Sequence, residues 1–137
     1  MEFLKKKFSL EEAKQLSPLV LAFIGDAVYE LFVRNYLVHL NNNMPVNMLH
    51  NKAVSFVKAH CQSEMMNNLL VYLNTEEIAI FKRGRNAKSA TVPKHAKVVD
   101  YRIATGFEAL LGYLYITDQI DRLNELFEKI IEFKNCN

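Results

Sequence analysis

Proline and glycine are scarce, at three and four residues in a chain of 137. No alternating apolar–polar runs with hairpin turns occur between them, which excludes a sheet-based fold. Cysteine is scarcer still. Cys61 and Cys136 make no close pair, metal spacing or disulfide framework, so free thiols in a reducing compartment are expected. His39, His50, His60 and His95 lack HxxxH and HExxH spacing, which argues against zinc and against a histidine-based nucleophilic triad. No GxGxxG or Walker loop is present, so no nucleotide cofactor is expected. The run from Leu19 to Leu40 has the length of a membrane span, but Asp26, Glu30, Arg34 and Asn35 interrupt it. Met1 to Phe8 carries three lysines without a following apolar core and cleavage site, so it is no signal peptide. A cytoplasmic protein with no membrane partner is the expectation.

What is present is helical patterning along one domain, residues 1–137, with half the residues apolar. Ser9 and Glu12 form a capping box that starts a short helix to about Leu16. Ser17 and Pro18 start a second helix, which stops at Asn41. It is apolar nearly all round, so it should lie centrally or in a subunit interface. Asn47 can cap a third helix to about Leu73, with a break near Cys61 and Gln62. Thr75 starts a fourth that runs into basic residues at Lys82. A fifth spans roughly Lys97 to Ile116, and Asp118 caps a last one ending near Phe133. The expected fold is an all-α bundle of about six helices. Gly25 lies in the second helix and Gly106 and Gly112 in the fifth, so these two should pack closely. Asp26 and Glu108 then become candidates for one site.

Two carboxylates from packed helices suit Mg²⁺ or Mn²⁺, which can activate water and stabilise charge on a phosphate. The plainer alternative is two unrelated surface acids. A second constellation is basic. No acid occurs from Ile78 to Val99, while Lys82, Arg83, Arg85, Lys88, Lys94 and Lys97 all fall there. The rest of the chain is net acidic although the whole carries +2. Such a block, with Gly84, Asn86 and Pro93, reads as a phosphate-gripping loop rather than a solvated charge run. Tyr101, Tyr113, Tyr115, Phe107 and Phe23 read as core residues at helical spacing.

Phe23-Ile24-Gly25-Asp26-Ala27-Val28 resembles the signature helix of ribonuclease III, and Phe107-Glu108-Ala109-Leu110-Leu111-Gly112 resembles its second motif. With Arg83-Gly84-Arg85-Asn86-Ala87-Lys88-Ser89, the whole chain looks most like the Mini-ribonuclease III branch, which has the catalytic domain and no double-stranded-RNA-binding domain. The resemblance implies a ribonuclease III endonuclease-domain-like helical bundle acting as a homodimer. It implies Mg²⁺-dependent hydrolysis of double-stranded RNA, with Mn²⁺ substituting, and 5′-phosphate products. It also implies maturation of 23S ribosomal RNA precursor. Asp26 and Glu108 match the catalytic and metal-binding acids; Lys82, Arg83, Arg85, Asn86, Lys88, Lys94 and Lys97 would bind RNA. Two further family acids are replaced here by Ala22 and Thr105. That loss supports an alternative, a non-catalytic RNA-binding or ribosome-assembly protein on the same fold.

Overall fold

The computed structural model describes residues 2–88 and 97–134. Among them it is all helical: α1 (Leu10–Gln15), α2 (Pro18–Leu40), α3 (Val46–Val57), α4 (Ala59–Leu69), α5 (Thr75–Asn86), α6 (Val98–Ile116) and α7 (Ile120–Phe133). Short 3₁₀ turns at Phe3–Lys5 and Leu70–Tyr72 complete the order. Cys136 and His95 lie outside the described residues.

The capping box at Ser9 and the Ser17–Pro18 start are both present. Other boundaries differ from expectation. Pro45, not Asn47, precedes α3, and that helix ends where Lys58 turns extended, with α4 following as a separate helix. Helix α5 does start at Thr75 as expected, capped by Asn74 in a full capping box with Glu77. Asp118 takes positive φ and Gln119 precedes α7, so Asp118 is a turn residue. Most consequentially, α5 does not stop at Lys82. It continues to Asn86, so the first half of the basic segment is helix rather than loop.

The central helix is α6. Every residue from Ala104 to Leu114 is buried except Glu108, which is half-buried. Helix α2, expected to lie centrally or in a subunit interface, buries the face carrying Leu21, Gly25, Tyr29, Val33 and Leu37 and leaves the opposite face open. Phe23, expected in the core, is 77% exposed on the opposite side. Phe107 and Tyr113 are buried as expected, while Tyr101 and Tyr115 are half-buried.

Glycines set how closely the helices cross. A Cβ at Gly25 would fall inside the Glu108 backbone carbonyl, and one at Gly112 inside that of Leu21. A Cβ at Gly84 would lie 2.8 Å from the Gly106 Cα. Thus α2 and α5 each meet α6 at a glycine pair, and Gly84 joins the three glycines expected in helices.

A buried ion pair ties α5 to α7. Glu77 is 2% exposed, and Arg122 reaches both its oxygens at 2.8 Å. Arg122 also donates to the Tyr72 carbonyl at 2.6 Å. Burial alone raises the Glu77 pKa, but the Arg122 hydrogen bonds and the Asn74 N–H prevail and leave it below the usual carboxylate range. A depressed folded pKa stabilises the protein above the unfolded value of about 4.3, and the gain is lost as pH falls through the folded value. Thermal unfolding followed from neutral to acid pH should therefore show a falling midpoint. In Arg122→Met that acid limb should flatten, with a loss of about 3 kcal/mol near neutrality. Equal acid dependence in the two proteins would refute the assignment.

Candidate active site

Asp26 and Glu108 come together at the crossing of α2 and α6. Asp26 follows Gly25, whose missing side chain admits the Glu108 backbone, and Glu108 sits one turn before Gly112. The contact that brings the two helix backbones together therefore also brings the two carboxyls within hydrogen-bonding reach. Asp26 is exposed and Glu108 half-buried, so desolvation falls mainly on Glu108. Burial is the largest cause raising the Glu108 pKa, followed by the charge and hydrogen bond of Asp26, with Glu30 adding repulsion; together they push it to about 8. The Gln62 side chain opposes them by hydrogen bonding to Glu108.

Two carboxyls this close must share either a proton or a cation. The donor set is all oxygen, which fits a hard divalent cation. No group of three or more acidic, histidine or cysteine side chains suited to a metal occurs among the described residues. Neither position where an acid is missing compensates. Ala22 is buried and has no polar side chain, and the Thr105 hydroxyl donates to the Tyr101 carbonyl at 2.9 Å.

The basic residues divide by role. Lys82, Arg83, Arg85 and Asn86 lie in the last two turns of α5; Lys88 follows it, and Lys97 immediately precedes α6. Lys94 lies outside the described residues. Gly84 packs against Gly106 and Ala109, so this end of α5 lies beside the stretch of α6 that carries Glu108. Lys82, Lys88 and Lys97 are exposed. Arg85 stands over the Phe81 ring at 5.6 Å and donates to the Asn86 side chain at 3.1 Å. Arg83 differs: its guanidinium donates to the carbonyls of Lys14 and Leu16, both at 3.2 Å, and so holds the end of α1.

Gln62 is the site residue that sequence reasoning missed. It is 3% exposed, and it sits in a stretch where the sequence signalled only a helix break. Nothing local distinguishes it from an ordinary surface glutamine, because its partner lies on another helix.

A ribonuclease III domain family model matches residues 19–119. A Mini-ribonuclease 3 from Clostridium tetani is 50% identical over 129 residues, covering 94% of this chain and 85% of that protein. One from Enterococcus faecalis is 47% identical over 125 residues, covering 90% and 94%. A crystal structure of a Fusobacterium nucleatum protein has a TM-score of 0.78 with 30% identity, covering 87% of this chain and 94% of that one.

The two arginines should part on substitution. Arg83→Ala should lower stability by about 1 kcal/mol through loss of its two carbonyl contacts, whereas Arg85→Ala should leave the urea midpoint nearly unchanged. Equal stability losses would show that Arg83 does not anchor α1.

Proposed function

The chain belongs to the ribonuclease III family and is an endoribonuclease, and from that premise we propose that it cuts double-stranded RNA using a divalent cation held by Asp26 and Glu108. The observation that carries this reading is the carboxyl pair itself, enforced by glycine at the one half-buried point of an otherwise buried stretch of helix. When bound, Mg²⁺, or Mn²⁺ in its place, supplies a water of lowered pKa and offsets charge gathering on the phosphate. Asp26, exposed on α2, presents its oxygens to solvent and substrate. Glu108 is held between helices, so its carboxylate has little freedom to turn away. With only two acids, much of the cation's shell is left to water and RNA phosphate, and its affinity should be modest.

Lys82, Arg85, Asn86, Lys88, Lys94 and Lys97 are the residues proposed to grip the RNA backbone, Arg83 contributing through the placement of α5. A-form RNA is read largely by shape and phosphate position, which suits such a group of basic side chains. Maturation of 23S ribosomal RNA precursor in the cytoplasm, with 5′-phosphate ends, is the role the family resemblance favours. Among the described residues no helix is long and apolar enough to cross a membrane, which accords with that location.

Homodimerisation is part of the same proposal. Helix α2 exposes Phe23, Ala27 and Leu31 one turn apart, with Phe23 77% and Leu31 70% exposed. They line a concave surface with Tyr115, Ile120 and Phe127, which is an apolar patch of the kind that marks an interface. Asp26 borders it, so a partner seated there would place a second site close to the first.

Two measurements test these statements. End-labelled duplex RNA should be cut only with Mg²⁺ or Mn²⁺, and Asp26→Asn should abolish cutting by at least about a thousandfold while retaining duplex binding. Binding without cutting in any divalent metal would return the non-catalytic RNA-binding reading. Sedimentation should show a dimer for the unmodified chain and a monomer for Phe23→Asp; a dimer in both would place the interface elsewhere.

A further inference from the structure

Residues 2–7, ahead of α1, are held along one edge of the molecule yet bury none of their apolar side chains. Phe8, at the inner end of this segment, donates its N–H to the Ile116 carbonyl at 2.8 Å. The Tyr115 hydroxyl donates to the Leu4 carbonyl at 3.4 Å. Lys7 pairs with Asp118 at 3.3 Å and stands over the Tyr115 ring at 5.0 Å. These contacts all fall on the end of α6 and the turn after it, and none uses the side chain of Phe3 or Leu4. Those two are left 80% and 85% exposed. Ordering a segment costs conformational entropy, which apolar burial normally offsets. Within the single chain, Phe3 and Leu4 contribute no such burial.

The same edge adjoins the concave apolar surface of α2 and α7. Tyr115, which holds the segment at Leu4, also lines that surface, and so does Ile120, two residues beyond Asp118. Charge matches as well. Lys5 and Lys6 are exposed beside Phe3 and Leu4. On α7, Asp121 and Glu128 are exposed, three residues before and four after Asn124, which lines the surface, so both carboxyls fall on its flank. An outward-facing segment with two apolar and two basic side chains thus stands beside an open apolar hollow with an acidic flank. In one chain the two stay apart; in two copies related by a twofold axis, the segment of each can cover the surface of the other.

We propose that residues 2–7 act as a clasp on a second copy of this chain. Phe3 and Leu4 pack on the rim of that copy's α2–α7 surface, and Lys5 and Lys6 face its Asp121 and Glu128. The clasp rests on the homodimer reading above and extends that interface beyond Phe23 and Leu31.

The test is sedimentation equilibrium on the full chain. Phe3→Ser combined with Leu4→Ser alters only exposed side chains, so helical circular dichroism should be unchanged while the dimer dissociation constant rises at least about tenfold. Lys5→Glu combined with Lys6→Glu should weaken the dimer too, and added salt should narrow its difference from the unmodified protein. Phe3→p-benzoylphenylalanine should, on irradiation, give a dimer-sized product joined to α2 or α7 of the other copy; linkage within one chain alone overturns the clasp. An unchanged dissociation constant in the Phe3 and Leu4 double variant also overturns it. If that variant loses affinity for duplex RNA instead, the segment belongs to the RNA-binding surface. An unmodified protein that sediments as a monomer shows that the homodimer reading is itself wrong. If Phe23→Asp dissociates a dimer that the clasp variants leave intact, the interface stands and only the clasp fails.

Discussion

Backbone contact between α2 and α6 at Gly25 and Gly112 governs the rest of this molecule. Each glycine sits where a methyl group would enter the other helix's backbone. Glycine costs roughly 1 kcal/mol relative to alanine inside a helix, and this chain places all four of its glycines there. What offsets the cost is close packing along α6, whose buried stretch from Ala104 to Leu114 supplies most of the contacts that hold the bundle. Asp26 and Glu108 need no loop to bring them together. They are consequences of the crossing, since one follows Gly25 and the other precedes Gly112 by a turn.

Two glutamates show how context divides structure from chemistry in the same core. Glu77 is more deeply buried, yet Arg122 pairs with both of its oxygens and its pKa falls. Glu108 is only half-buried, yet its pKa rises to about 8, because burial is the largest influence on it and its charged neighbours, Asp26 and Glu30, add to the rise instead of opposing it. The first is satisfied within the protein and holds α5 to α7. The second is left with a deficit that only a proton or a cation from solution can fill. A cation-seeking carboxyl is costly to retain for stability alone, which is the physical reason to read it as functional.

What the sequence disclosed followed from the range of the interactions concerned. The Ser9–Glu12 box and the Ser17–Pro18 start were legible because each closes within one turn. The pairing of Asp26 with Glu108 was legible because three glycines in two helices signal close approach. The end of α5 was not. Lys82 to Asn86 looked like a loop by charge and glycine content, but Gly84 is there to seat on Gly106, and that tertiary contact carries the helix onward. Arg83 counted as one more cation until the fold placed it on the α1 carbonyls. Helix α2 left two readings open, central or in a subunit interface, because hydrophobicity cannot distinguish a face covered by the chain's own core from one left open.

The missing acids limit how the site can work. Family members with four carboxylates can surround a cation largely with protein oxygens; here Ala22 offers none, and the Thr105 hydroxyl is committed to its own helix. Glu30 is near enough to add repulsion at Glu108 but belongs to no cluster of three. A pair with so few donors cannot rely on number to define an ion's position, so it must rely on the rigidity of each donor. Glu108 has that rigidity from its helix crossing. Asp26, exposed on α2, has less of it and gains access to solvent and substrate in exchange. The division of labour, one acid fixed and one acid open, is what a two-carboxylate site requires when the remaining ligands must come from water and from the RNA itself.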